Sequence, residues 1–196
     1  AALSQAIGRE DSDAALGRMA LHAIGFGTLL GIGIAAIFRT GSEALFALMG
    51  ASGAVAEAIA GYTPYWAASF PFLVAMMIAN AAIRAQGDGR RPATVMVVAA
   101  LVNIALDPVL IFGFGPIPAL STQGAGLASL LARVLAAGLA LAWCWRLGLL
   151  GFAGKPFKGL ATSLRRIVEV GAPAAFSNAI NPAGMAAVTA AVAMLG

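Results

Sequence analysis

The feature that most constrains this chain is a sorting of charge. Apolar stretches run over 20–38, 58–83, 93–113, 124–145 and from 167 to the end, and the basic residues fall almost wholly into alternate gaps between them. Each stretch approaches or exceeds the roughly 20 residues that a helix needs to cross the hydrocarbon core of a bilayer. The gaps 9–18, 84–91 and 146–166 hold Arg9, Arg18, Arg84, Arg90, Arg91, Arg146, Lys155, Lys158, Arg165 and Arg166. The intervening gaps 39–57 and 114–123 hold only Arg39, and Arg133 lies inside a stretch. Cytoplasmic loops of membrane proteins carry the excess of Lys and Arg, so 9–18, 84–91 and 146–166 are placed in the cytoplasm. Adding or removing one span would scramble the alternation, so it also checks the count.

Composition agrees. Hydrophobic residues make up 61% of the chain and charged residues 10%, too few to coat a soluble domain. The apolar residues come in runs rather than alternating, which selects helices over a barrel. The fold class is therefore all-α, a polytopic transmembrane helical bundle in a cell membrane, with the lipid bilayer as its first partner. A net charge of +4 would suit nucleic acid, but loop topology explains the basic residues and no nucleic-acid partner is expected. The single cysteine, Cys144, has no partner for an internal disulfide.

Smaller segments follow. Residues 44–56 are too short to cross and read as an interfacial segment. FGPIPALSTQ, 114–123, reads as a tight outer turn leading into a helix. The glycine-rich basic stretch after Arg146 suits a linker between two lobes or an amphipathic inner-face segment. The first eight residues look like the tail of an earlier span. Without an initiator Met, and with a C-terminus inside an apolar run, the chain reads as an internal piece of a longer protein.

Chemistry inside a membrane is carried by polar groups that cost energy to be there. Asn103 and Asp107, four residues apart, share one helix face. Asp107 lies fifteen residues past Pro92, or about 22 Å along a helix. A charge at such depth costs at least roughly 2.5 kcal/mol unless it meets water, a cation or a partner. Pro108 removes a backbone donor and frees the carbonyl of Ile104. A carboxylate, an amide oxygen and a free carbonyl form a set of oxygen ligands for Na⁺, or a proton acceptor. The alternative is a structural role for Asp107, at the interface or paired with Arg133. Arg133, near the bilayer centre, must face Asp107, a backbone carbonyl or water, as a salt bridge or a substrate contact. Ser129 lies one turn away on the same face.

Tyr62 suits an interface anchor as well as a ligand, and Asn80 suits helix-to-helix glue or capping. Pro64, Pro71, Pro173 and Pro182 are expected to bend or break their spans. Gly27 and Gly31 form a GxxxG pair that suits close helix packing. GASG, 50–53, lacks the spacing of a nucleophile elbow. No HExxH, phosphate-binding loop or paired cysteine occurs, and His22 is the only histidine. Nothing in this pattern favours an enzyme.

With these residues laid out, the chain resembles the multidrug and toxic compound extrusion family. The stretch that carries the likeness is NAAIRAQGDGRRPATVMVVAALVNIALDPVLIFGFGPIPALSTQGAGLAS, 80–129. It contains R-x-x-GD, a following Pro, N-x-x-x-DP, a turn rich in Gly and Pro, and then GAGLAS. ALSQAIGRED and VGAPAAFSNAINPAGMAAV are similar to the family's second-helix exit and seventh-helix entry.

The resemblance implies the N-terminal lobe of a twelve-helix, two-lobe transporter. On that reading 1–146 is the N-lobe portion, from the end of the second helix to the sixth. Residues 147–166 are the cytoplasmic inter-lobe loop and 167–196 the start of the C-lobe. The missing helices of the same protein would be partners. The implied function is a secondary active antiporter that exports drugs or organic cations in exchange for H⁺ or Na⁺, with no cofactor. The implied cation or proton site is Asp107, Asn103, Tyr62, Asn80 and Ser129, with Na⁺ at Asp107 and Asn103 and Arg133 as a substrate or structural partner. Asn178 and Asn181 stand where some members carry an acidic residue in the second lobe. The alternative function is a lipid-linked oligosaccharide flippase of related architecture, for which Arg133 would help form a cationic cavity.

Overall fold

The computed structural model describes residues 13–151 and 159–195. The expected tail of an earlier span, Arg9, Lys155, Lys158 and the side chain of Asn181 lie outside the described residues. Among the described residues six helices follow in order: α1 Asp13–Leu48, α2 Gly53–Ala68, α3 Phe70–Ala85, α4 Arg90–Phe112, α5 Ser121–Arg146 and α6 Leu160–Leu195. Among the described residues, the only pairing outside helices is an isolated bridge between Phe114 and Ile117. The fold class is all-α, as expected.

Helices α1, α4 and α5 are long and apolar enough to cross a membrane, and the bent pair α2–α3 is long and apolar enough, taken together, for a fourth span. The structure refines the expected spans in three places. First, 58–83 bends, as its prolines led one to expect, and its helix begins earlier, at Gly53. It breaks at Ser69 with a 43° bend, because Pro71 on the first turn of α3 lacks an N–H and its ring collides with the preceding turn. Second, 44–56 is not a separate interfacial segment. α1 continues through 44–48, a turn follows, and α2 begins at Gly53. The chain at 39–48 contains no proline, and Thr40 Oγ1 returns a bond to the Ala36 carbonyl at 3.1 Å without interrupting the helix. Third, the last stretch does not begin at Ile167. α6 starts at Leu160, inside the expected inter-lobe loop, and keeps Pro173 and Pro182 within one helix. It is not among the helices that reach spanning length and apolarity.

α5 sits between α4 on one side and α2 with α3 on the other. α1 packs on α3 and α2, and α6 touches only α1 among the described residues. The sequence GAG at 124–126 explains the central place of α5. Residues two apart on a helix point about 200° from one another, so Gly124 and Gly126 present bare backbone to opposite neighbours. A Cβ at Gly124 would lie 2.3 Å from the Leu110 carbonyl oxygen of α4, and one at Gly126 would lie 2.8 Å from the Tyr62 carbonyl oxygen of α2. Below them runs a stripe of small buried residues, Ala128, Ala132, Ala136, Ala140 and Cys144, one per turn. The GxxxG of α1 works the same way: a Cβ at Gly31 would meet Pro71 Cα at 2.9 Å. Small residues drive such packing in lipid, where van der Waals contact replaces the hydrophobic effect.

The core joins Ala20 and Ile24 of α1, Met76, Ala79 and Ile83 of α3, Val95 of α4, and Ala136, Ala140 and Cys144 of α5. These residues come from the start of α1, the end of α3, the start of α4 and the end of α5. They therefore occupy one half of the bundle, the half nearest the basic loops. A small cavity of about 250 Å³ there is lined by Leu16, Gly17, Ala82, Gln86, Leu147 and Gly148. It shows that the ends of α1, α3 and α5 meet at one pole, as the sorting of charge requires. The opposite half is less tightly filled.

Candidate functional site

Two features stand out in the apolar bundle, on opposite flanks of α5: a polar pair and an aromatic cavity. The first is on α4. Asn103 Nδ2 faces Asp107 Oδ1 at 3.5 Å, and both side chains are partly buried. That distance is the outer limit of a hydrogen bond, so the pair is loosely joined. Pro108 lies inside α4, which leaves the Ile104 carbonyl without its helical donor. Beyond this segment the chain turns through Gly113, with φ +81°, and the Leu120 N–H bonds back to the Leu110 carbonyl at 3.0 Å. The turn clips the end of α4 to the start of α5 and fixes the outer end of the Asn103–Asp107 face. Among the described residues no ion pair reaches Asp107, and no three His, Cys, Asp or Glu side chains gather to hold a metal. The donor set at Asp107 is one carboxylate with neutral oxygens, which suits a monovalent ion or a proton.

The second feature is a cavity of about 670 Å³ between α1, α2 and α5, lined by Phe38, Phe46, Ile59, Tyr62, Trp66 and Thr122 among others. Its rings touch: Phe38 and Trp66 lie 5.2 Å apart between centroids, and Tyr62 and Trp66 6.3 Å. Thr122, Ala125, Ser129 and Arg133 follow one another along a single face of α5 at spacings of three and four. The first two line the cavity. Arg133 lies about 12 Å past Ala125 along the helix, with its guanidinium carbon 6.0 Å from the Trp66 ring centroid. Arg133 Nη1 donates to Ser69 Oγ, and Ser69 Oγ donates to the Trp66 carbonyl at 2.5 Å. Ser69 is fully buried at the break between α2 and α3. The guanidinium is therefore held beside Trp66, a ring that lines the cavity, without lining the cavity itself, and it does not pair with Asp107, the partner that the sequence offered first.

The described residues do not bring the five implied site residues into one cluster. Asn103 and Asp107 meet. Tyr62 is on α2, which does not pack on α4. Ser129 lies on the Arg133 face of α5. Asn80 is 2% exposed, and its Oδ1 has no hydrogen-bond partner among the described residues. It sits five residues from the end of α3, level with the first turns of α4, so it lies roughly 12 Å below Asn103 and 18 Å below Asp107 along the bundle. Sequence reasoning missed Ser69 and Trp66. Pro71 marked a bend near them, but the contact that makes them matter comes from a residue 64 positions away.

On the inner side, the R-x-x-GD loop has a structural task. Gly87 adopts φ +84°, a left-handed conformation that glycine accepts at a helix end. Asp88 Oδ1 then accepts the N–H groups of Arg90 at 2.9 Å and Arg91 at 3.1 Å, and Arg91 pairs with its other oxygen. The backbone N–H of Arg91 first, then the arginine side chain and the Arg90 N–H, hold the Asp88 carboxyl below the usual carboxylate range.

The profile of the family described as MatE matches residues 1–109. A FAD transporter of Shewanella oneidensis is 36% identical over 164 residues, which cover 82% of this chain and 36% of that protein. Among solved structures, an inward-facing multidrug resistance MATE family transporter of the MOP superfamily is 27% identical with a TM-score of 0.76. The match covers 88% of this chain and 38% of that one. A MATE transporter of Vibrio cholerae in its bent form shares the fold at a TM-score of 0.81 and 24% identity, over 99% of this chain and 43% of that one. The chain thus spans between a third and a half of the length of these relatives.

Proposed function

The chain belongs to the MatE family and is part of a multi-pass membrane protein of the plasma membrane, and from that premise we propose that the whole protein is a secondary active antiporter. It exports drugs or organic cations while H⁺ or Na⁺ enters. The observation that carries the reading is the Asn103–Asp107 pair beside Pro108, in a helix of mean hydropathy 2.4. A carboxylate there without a cationic partner among the described residues is stable when it is protonated or loaded with a cation. Loading changes the charge on one face of α4 and so alters how α4 packs against α5. Empty and loaded states then favour different arrangements of the bundle, which is what couples ion entry to export.

The test is transport by the intact protein in proteoliposomes. Ethidium efflux should follow an imposed H⁺ or Na⁺ gradient, and collapsing that gradient should stop it. Efflux indifferent to both gradients overturns the reading.

A second reading takes an anionic flavin as cargo, in line with the relative named a FAD transporter. One observation favours it: Arg133 stands beside Trp66, one of the rings that line the aromatic cavity, where an organic cation would be repelled.

A further inference from the structure

We propose that the cavity between α1, α2 and α5 is a binding site for a planar aromatic ring that carries an anionic group, with the ring against Tyr62 and Trp66 and the anion at Arg133. The proposal rests on the reading that the whole protein is a transporter, and it assigns a place and a chemistry to the cargo.

Three observations meet here. The cavity is large enough, at about 670 Å³, for a fused ring system, since pockets for drug-sized ligands run from about 300 to 1,000 Å³. Its walls are aromatic, and rings of Phe38, Tyr62 and Trp66 stand within stacking distance of one another. Offset or edge-on aromatic contact with a flat ligand is favourable at such spacings.

The third observation concerns charge. Among the described residues no carboxylate pairs with Arg133, although an unpaired cation in a membrane helix is costly. Ser69 takes one of its donors and Trp66 faces its positive carbon. A guanidinium fork has further donors. A phosphate or carboxylate accepts them in short, charge-assisted bonds, and arginine suits such groups better than lysine. Thr122, Ala125, Ser129 and Arg133 share one helix face, and the first two line the cavity, so a ligand seated among the rings whose anionic arm extends about 12 Å past Ala125 along that face meets the guanidinium. The cavity is apolar and the guanidinium stands beside its Trp66 wall, so the ligand must match both the rings and the charge next to them.

The experiment compares FMN with riboflavin, which share a ring system and differ in one phosphate, on the intact protein in detergent by flavin fluorescence polarisation. FMN should bind about tenfold or more tightly than riboflavin, the size expected of one charge-assisted contact. Arg133→Gln should abolish the preference and leave riboflavin binding intact. Trp66→Ala should weaken both ligands, and Thr122→Trp, which fills the cavity from α5, should block both. The comparison in the unmodified protein needs no variant, so it decides the matter even where Arg133→Gln fails to fold. Equal affinities, a preference that survives Arg133→Gln, or binding of neither flavin because lipid or another segment of the protein fills the cavity would each overturn the proposal. Gradient-driven ethidium efflux without an FMN preference removes this site and leaves the antiporter standing. An FMN preference without gradient-driven flux of any substrate does the reverse.

Discussion

Arg133 of α5 donates a hydrogen bond to Ser69, the buried residue at which the span formed by α2 and α3 breaks. The bend has two causes that come from far apart in the chain. Pro71 removes the hydrogen bond that would have carried the helix through. Ser69 then spends its own hydroxyl proton on the Trp66 carbonyl, which leaves its oxygen free to accept from the guanidinium. A cation in mid-membrane and a helix break thus stabilise one another.

Ser69→Ala should therefore destabilise the protein by about 1.5–3 kcal/mol, the range for losing a hydrogen bond to a charged group. The loss should appear in denaturant unfolding of the detergent-solubilised protein. An unchanged midpoint would mean that the guanidinium does not depend on Ser69.

The glycines of α5 should separate by position. Gly124→Ala and Gly126→Ala drive a methyl into backbone oxygens of α4 and α2, and backbone cannot rotate away as a side chain can. Each should cost about 1–3 kcal/mol. Gly138 lies in the same helix with nothing near its missing Cβ, so Gly138→Ala should be neutral or stabilising by up to about 1 kcal/mol. Melting temperatures of the three variants check the order; equal effects would contradict the close approach of α5 to α4 and α2.

Asp88 predicts a pH effect at the inner pole. Its pKa is depressed in the folded protein, so it favours the folded state above the ordinary carboxylate pKa of about 3.9. That contribution is lost as the pH falls through the lowered value. Hydrogen exchange at the Arg90 and Arg91 amides should be slow at neutral pH, relative to intrinsic rates, and lose protection below about pH 4. Asp88→Ala should show the acid behaviour at every pH.

Cys144 is fully buried, with its thiol directed at the Ala79 carbonyl at 3.4 Å. A maleimide should label it slowly in the folded protein and fast after unfolding. Rapid labelling under native conditions would contradict the packing of α5 on α3.

Much of this arrangement was legible in the sequence, because membrane topology is written in local composition. The loops containing Arg18, Arg84, Arg90, Arg91 and Arg146 were sorted by charge, and Gly17, Gln86 and Leu147 now line one cavity at one pole. The close approach at Gly27 and Gly31 followed from residue size. The break at Ser69 was half legible: Pro71 announced a bend, but the residue that absorbs it has no signature of its own. The partner of Arg133 was not legible, since it depends on how α5 rotates against α2, and that is set by Gly126. The length of α1 was missed for another reason. A helix outlasts its apolar stretch when nothing in the following residues stops it, and 39–48 contains no stop. For Asn103 and Asp107 the spacing of four placed both on one face, as the contact between them shows, but spacing says nothing of what loads them.

The most direct measurement is therefore ethidium efflux by the intact protein carrying Asp107→Asn, in proteoliposomes under an imposed H⁺ or Na⁺ gradient. The substitution preserves shape and the contact with Asn103 while removing the charge. Abolished gradient-driven efflux in a variant that inserts and folds is the predicted result; efflux at the rate of the unmodified protein would contradict the account.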